Sequence, residues 1–232
     1  MSKLPPFGAP PRVARAIDAH AAGTASPSSV DERMIRILDV TLALGLLVFL
    51  APLMLIVMFG ITIQDGRAAI FAHRRYGRGG RTFLCYKFRS MAADADARLA
   101  RLLLHDPVAR AEWNLDHKLR RDPRITPIRR FLRKTSIDEL PQLFNVLRGE
   151  MSLVGPRPIV AAEVARYGRH FQAYCSIRPG VTGIWQISGR NDVGYRRRVA
   201  MDSILARRLS PRLYARILVG TVRTVLRGSG AY

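Results

Sequence analysis

From Val40 to Ile63 the chain reads VTLALGLLVFLAPLMLIVMFGITI, about two dozen residues without a charge and long enough to cross roughly 30 Å of hydrocarbon. The competing reading is a buried core helix, but globular helices rarely stay apolar on every face over so many turns. The run therefore belongs in lipid. Arg33 and Arg36 precede it and Arg67, Arg74 and Arg75 follow it, so the positive-inside bias holds both ends on the cytoplasmic side. Pro52 sits near its middle, where the missing N–H and the ring bend a helix. A helix that enters the bilayer, bends at Ala51-Pro52 and returns meets both constraints, and residues 31–64 are assigned to it. An ordinary tilted span with a proline kink satisfies the length alone.

Residues 1–30 are rich in Ala, Pro, Ser and Gly, with Pro5, Pro6, Pro10, Pro11 and Pro27 interrupting any regular element, which predicts a disordered tail. The apolar run begins too late for a secretory signal, and no small-residue cleavage site follows it. Residues 65–232 suffice for one catalytic domain. It is expected to be α+β and mainly helical, with small β elements and amphipathic surface helices. Residues 81–91, RTFLCYKFRSM, interleave aromatic and basic side chains as a short strand does. Asp94 to Leu104 predicts a helix with Asp94 and Asp96 on a solvated face. Ser210-Pro211 predicts an N-cap followed by proline at the first helical position. In that last helix Arg212, Arg216, Arg223 and Arg227 share one face, and Tyr214, Ile217, Leu218, Val222 and Val225 the other. The pattern suits a helix lying on an anionic membrane and equally one packed on a core with a solvated basic side.

The 38 Lys and Arg against 17 Asp and Glu give a net charge of +21, which points to anionic partners. Nucleic acid, anionic lipid and phosphorylated small molecules all qualify. The long apolar segment and the lack of any nucleic-acid-binding module argue against the first. Cys85 and Cys175 stand far apart outside any Cys-x-x-Cys spacing, so neither a disulfide framework nor a zinc site is expected. The five histidines show no ligand-like spacing.

The segment RITPIRRFLRKTSIDELPQLFNVLRGEMSLVGPRP, residues 124–158, joins a basic stretch to the acidic pair Asp138 and Glu139 and then to an apolar helical stripe closed by Gly149. A structural reading is available. Ser136-x-x-Glu139 matches a capping box, and two acids in a first turn complement the helix dipole. Pro141 complicates it, because proline fits only within a first turn, which would make Asp138 the cap. The chemical reading gives the two acids separate tasks, since neighbours on a helix point about 100° apart. One attacks phosphorus to form an acyl phosphate. The other helps to hold Mg²⁺, which commonly takes one or two carboxylates plus substrate phosphates. Arg133 and Arg157 would steady charge on the transferring phosphoryl oxygens with their forked donors. Further on, Arg178-Pro179-Gly180-Val181-Thr182-Gly183, Trp185-Gln186 and Ser188-Gly189-Arg190-Asn191 form Gly- and Pro-dense loops able to hold a base and phosphates, or only to connect elements. No Walker loop or nucleophile elbow is present, and Tyr76-Gly77-Arg78-Gly79-Gly80 approaches a dinucleotide fingerprint without completing it.

From about Asp31 to Tyr232 the chain resembles the bacterial sugar transferase family, the monotopic phosphoglycosyl transferases that load a polyprenyl carrier. The marks are Tyr86-Lys87-Phe88-Arg89-Ser90-Met91, the run from Ser136 to Leu147, Met151-Ser152-Leu153-Val154-Gly155-Pro156-Arg157-Pro158, Arg178 to Gly183, and the terminal Gly228-Ser229-Gly230-Ala231-Tyr232. The compact length is most similar to the exopolysaccharide enzymes that begin a repeat unit with galactose or glucose phosphate. The resemblance implies a re-entrant helix at the proline, a nucleophilic Asp138, a Mg²⁺-binding Glu139 and a phosphate-binding Arg133. It implies a UDP-sugar and undecaprenyl phosphate as substrates, UMP as by-product, and work at the cytoplasmic face of the bacterial inner membrane. Lys87, Arg89, Arg157, Arg178, Gln186 and Arg190 are the expected substrate-binding residues. Membrane lipids are expected as partners and nucleic acid is not, and the oligomeric state is open, a homodimer included. Ala51, Ile137 and Arg129 stand where relatives often carry Ser, Leu and Gly.

Overall fold

The computed structural model describes residues 28–89, 95–116, 119, 131–132, 135–188 and 194–227. Helix α1, Ser29–Asp65, runs for 37 residues with Pro52 inside it. The Ser28 side chain accepts from the Asp31 N–H at 3.1 Å, and Asp31 and Glu32 place negative charge in the first turn, both of which favour a helix start there. Gly66, at φ 61°, ends it by donating to the Thr62 carbonyl. Most of its apolar surface has no protein cover, with Phe49 80 % exposed. By length and composition the helix can cross a membrane.

Strands β1, Ile70–Tyr76, and β2, Thr82–Phe88, form an antiparallel hairpin in register from Ile70↔Phe88 to Tyr76↔Thr82. The near-fingerprint at Tyr76–Gly80 is the turn of this hairpin, a short 3₁₀ segment at Arg78–Gly80. Strand β2 matches the sequence reading. Strand β1 escapes it because IFAHRRY is exposed along five of its seven positions and carries no alternation. Helices α2, Ala95–His105, and α3, Pro107–Asp116, follow. A 3₁₀ turn at Ile137–Glu139 leads into α4, Gln142–Arg148, and strand β3, Ser152–Val154. Helices α5, Ala161–Tyr167, and α6, Phe171–Cys175, precede strand β4, Gly180–Thr182. The described residues end with α7, Ile184–Ile187, α8, Tyr195–Arg208, and α9, Pro211–Arg227. The described residues are thus mostly helical, with two small two-stranded sheets.

Strands β3 and β4 pair in parallel, Ser152 with Gly180 and Val154 with Thr182. The pairing continues as Gly155 donates to the Thr182 carbonyl at 2.9 Å and Gly180 to the Pro156 carbonyl at 2.8 Å. A Cβ on Gly155 would lie 2.6 Å from the Gly180 nitrogen. Only glycine lets the two backbones approach this far, and their crossing sets Arg157 beside Val181 and Gln186 at the rim of one small cavity.

The main core joins Val146, Met151, Leu153, Val154, Leu205, Tyr214 and Ile217 to Ile35 and Ala43 of α1. A second cluster gathers Tyr76, Ile159, Tyr167, Phe171 and Tyr174. The third packs Met54 and Ile61, from the far end of α1, on Ala69, Phe88 and Leu132. In α9 the apolar stripe divides. Tyr214 and Ile217 are buried in the core, whereas Val219 and Val222 are exposed.

The start of α1 is held by polar contacts as well. Arg36 donates to the carbonyls of Val146 and Leu147 at 2.6 and 2.9 Å, completing the C-terminus of α4. Glu32 pairs with Arg78 and, at 3.4 Å, with Arg178. Asp39, 1 % exposed, accepts from Ser152 Oγ at 2.9 Å, the Leu153 N–H at 2.8 Å and Tyr214 Oη at 2.8 Å. Asp39→Ala would leave three buried donors without an acceptor, at about 1–3 kcal/mol for each group that finds no substitute. Thermal unfolding in detergent should show a loss of about 3 kcal/mol or more, against about 1 kcal/mol for Tyr214→Phe, which removes a single bond.

Candidate active site

Asp138 and Glu139 belong to a turn rather than to the first turn of a regular helix. Ser136 adopts φ 58°, ψ 18° and makes no side-chain capping bond, so the capping box expected from its spacing does not form. Nor is Asp138 the cap, since α4 begins at Gln142 with Pro141 as its N-cap. A left-handed serine points its side chain away from the N–H groups that a capping residue must reach, and the proline ends the 3₁₀ turn. Ser136 is the single non-glycine residue with positive φ among the described residues. Such strain persists only where the surroundings enforce it, and it clusters at functional sites.

That turn forms the floor of a cavity of about 640 Å³. Asp138, 7 % exposed, and the half-buried Glu139 line it together with Lys87, Arg157, Thr182 and Gln186. Lys87 Nζ lies 2.6 Å from Glu139 Oε1, as the β2 register and the turn bring them together. The opposite wall is apolar, built from Leu42, Leu46 and Leu50 of α1 and from Leu218, Val219 and Val222 of α9. A smaller recess adjoins it, where Arg75, Lys87 and Arg157 meet Glu139, Gln142 and Gln186.

A charged layer lies behind Arg157. Its guanidinium carbon is 5.7 Å from the Trp185 ring centre, and that of Arg198 is 5.3 Å from the same ring. Glu163 accepts from Arg198 at 2.7 Å and sits 3.9 Å from Arg75. Burial works against the charge on Glu163, but the Val160 N–H and Arg198 outweigh it, and its carboxyl stays below the usual value. Asp202 accepts from Tyr167 Oη at 2.7 Å. Burial pushes its carboxyl up to about 7, against the opposing pull of the Tyr167 hydroxyl, Arg198 and Arg157. None of Glu163, Arg198 and Asp202 stands out in the sequence, because the Arg198–Glu163 and Tyr167–Asp202 pairs each join residues 35 positions apart.

The expected site residues divide. Lys87, Asp138, Glu139, Arg157 and Gln186 converge on one cavity. Arg89 turns from it, donating to the Ala68 carbonyl at 3.0 Å and stacking on Phe71. Arg178 donates to the Gly149 carbonyl at 2.9 Å and pairs with Glu32, so it ties the start of α1 to the domain. Arg133 and Arg190 lie outside the described residues. Thr182 and Trp185 join the site from the Gly- and Pro-dense loops named in the sequence as able to hold a base and phosphates, whereas Arg75 joins it without having been singled out.

Among the described residues no three His, Cys, Asp or Glu side chains gather, so a cation needing a full protein cage does not fit. Glu139 already faces a cationic group, and Gln186 Oε1 is buried without a protein hydrogen-bond partner beside the same cavity. A hard ion that takes one or two carboxylates and fills its shell with phosphate oxygens and water, as Mg²⁺ does, fits this set.

Residues 30–228 match the model of the family described as bacterial sugar transferase. The chain belongs to the bacterial sugar transferase family. Among bacterial sugar transferases it is 50 % identical over 197 residues to an undecaprenyl-phosphate galactose phosphotransferase of Salmonella typhimurium, covering 85 % of this chain and 41 % of that one. It is 44 % identical over 197 residues to the exopolysaccharide production protein ExoY of Sinorhizobium fredii, covering 85 % and 87 %. It is 37 % identical over 202 residues to a UDP-glucose:undecaprenyl-phosphate glucose-1-phosphate transferase of Xanthomonas campestris pv. campestris, covering 84 % and 39 %. The chain therefore spans about two fifths of the longer relatives and most of the shorter one.

The raised carboxyl of Asp202 has a pH signature. Its folded value lies above the ordinary carboxylate value of 3.8, so the fold favours the protonated form. The stability this group contributes is present at low pH and is lost as pH rises through about 7. Asp202→Asn removes that titration while keeping an acceptor for Tyr167. Unfolding temperatures from pH 4 to pH 8 should fall less in the variant than in the wild type, and parallel profiles would contradict the assignment.

Proposed function

We propose that this transferase moves a hexose 1-phosphate, galactose or glucose phosphate, from a UDP-sugar to undecaprenyl phosphate with release of UMP. The reaction is the first membrane step of exopolysaccharide synthesis and takes place at the cytoplasmic face of the bacterial inner membrane. The observation that carries this reading is Asp138, a buried carboxylate on a strained turn, at the floor of a cavity with cations on one side and apolar residues of α1 on the other. The names of the relatives support the substrates.

An oxygen of Asp138 attacks the phosphorus that bears the sugar, the bond from that phosphorus to the bridging oxygen breaks, and UMP leaves with the electron pair. An oxygen of undecaprenyl phosphate then attacks the same phosphorus, and the Asp138 carboxylate departs unchanged. Arg157, steadied by Trp185, offers forked donors to the equatorial phosphoryl oxygens, a task that the resemblance also gives to Arg133. Glu139 would hold Mg²⁺, which when bound neutralises charge on the donor diphosphate. Lys87, now on Glu139, is then free to face phosphate.

The arrangement of α1 supports a re-entrant rather than a spanning helix. Ile35 near its start and Ile61 near its end both pack against the one domain, and Pro52 lies between them. A helix that traverses the bilayer separates its two ends by the full membrane thickness.

Asp138→Asn should lower UMP release by about 10³-fold or more at unchanged unfolding temperature, because an amide forms no acyl phosphate. Wild-type turnover in that variant would remove Asp138 as nucleophile. Glu139→Gln should lose activity and regain part of it as Mg²⁺ is raised, whereas full activity in chelator would end the metal role. Single cysteines at Ser28 and Gln64 should both escape a membrane-impermeant thiol reagent added to intact cells. Labelling at Ser28 alone would establish a span.

A further inference from the structure

The cavity has two chemically different halves, and the reaction uses only one of them. Near Asp138 the lining is Lys87, Glu139, Arg157, Thr182 and Gln186. Away from it, Leu42, Leu46 and Leu50 repeat every four residues along one side of α1 and face Leu218, Val219 and Val222 of α9 across the opening. We propose that the groove between α1 and α9 seats the hydrocarbon of the lipid acceptor, so that its first isoprenoid units lie along these six residues and its phosphate reaches Asp138. The assignment rests on the acceptor named above being a polyprenyl phosphate.

Three observations favour this occupant. The cavity runs from a cationic and carboxylate end to an apolar end without a wall between them, which matches a molecule with an anionic head on an apolar chain. Its volume of about 640 Å³ lies within the range of about 300–1,000 Å³ usual for small-molecule sites. That is room for a head group and a short length of chain, so the remainder of a long carrier stays in the bilayer. One wall is α1 itself, whose uncovered apolar surface belongs in lipid, so the chain can enter sideways without crossing water.

Helix α9 is fixed as the second wall. Thr182 Oγ1 and Thr221 Oγ1 are hydrogen-bonded at 2.7 Å, which ties α9 to β4. At Gly220 a Cβ would come within 3.1 Å of Ile187 Cδ1, so the glycine lets α9 lie close against α7. Groove and bilayer are equally apolar, and moving the chain from one to the other yields little hydrophobic free energy. The groove therefore acts by aiming the phosphate rather than by tightening binding through burial.

The test has two arms. In the first, polyprenyl phosphates of increasing length are compared as acceptors for the wild type, Leu46→Trp and Val222→Trp. Val222 is 58 % exposed, so the second variant accepts the added bulk without disturbing the core. In both variants kcat/KM for long acceptors should fall about tenfold or more, the loss shrinking towards the shortest acceptor, while KM for the UDP-sugar moves little. An equal loss at every chain length, or none, would overturn the seat. In the second arm, a polyprenyl phosphate with a diazirine in its first isoprene units should label residues 42–50 and 218–222, and excess undecaprenyl phosphate but not phosphatidylglycerol should suppress the labelling. Label elsewhere, or equal suppression by phosphatidylglycerol, would overturn it. Groove labelling without UMP release would instead remove the catalytic reading and leave the seat standing.

Discussion

The carboxylate of Asp39 is the joint on which the rest of the molecule depends. It sits at the last turn of α1 before the apolar run begins and is closed off from solvent. Ser152 and Leu153 bind it from β3 and Tyr214 from α9, so one side chain gathers α1, the small parallel sheet and α9. Burial pushes this carboxyl above its usual value, and three donors that converge from separate elements on one of its oxygens offset part of that cost. With α1 held there, Leu42, Leu46 and Leu50 follow on the next turns and become the wall of the cavity. The placement of α1 and the apolar wall of the cavity thus depend on the same contact.

The polar end of the chamber is built by backbone geometry. Gly155 and Gly180 bring the chain beyond β3 and the start of β4 into contact, which presents Arg157 to the cavity. Arg157 is then backed by a layer in which Glu163 pairs with Arg198 and Asp202 accepts from Tyr167. Three arginines and two carboxylates lie close together in this layer, a spacing that would be repulsive without the acids. The low carboxyl of Glu163 and the high carboxyl of Asp202 reflect its two sides, one facing guanidinium groups and the other mainly enclosed. On the turn at the cavity, Ser136 holds a left-handed backbone two residues before Asp138. Rigid support on both sides is what a site needs when a few tenths of an ångström decide reactivity.

Much of this was legible from local pattern. The apolar run, the Ser210-Pro211 start of α9 and the Gly149 stop of α4 all rest on short-range rules, and each appears as expected. Lys87, Glu139, Arg157 and Gln186, which come from separate stretches of the sequence, line one cavity with Asp138. What the sequence hid is long-range. Asp39 reads as an ordinary flanking charge until Tyr214, 175 residues away, is brought to it. Arg178 and Arg89 look like phosphate ligands by residue type, yet carbonyls and Glu32 take them elsewhere. The capping box failed for a local reason of another kind, a backbone state that serine rarely adopts and that composition does not announce.

In the proposed reaction Asp138 becomes covalently bonded to the transferred phosphosugar. Mass measurement of the intact protein after mixing with UDP-sugar in the absence of acceptor tests it most directly. Wild-type protein should gain the mass of one hexose phosphate, with an equal amount of UMP released. Peptide mapping should place the added mass on Asp138, and undecaprenyl phosphate should discharge it. UMP formed only when acceptor is present, with no adduct at any time, would mean direct transfer and would contradict the covalent route.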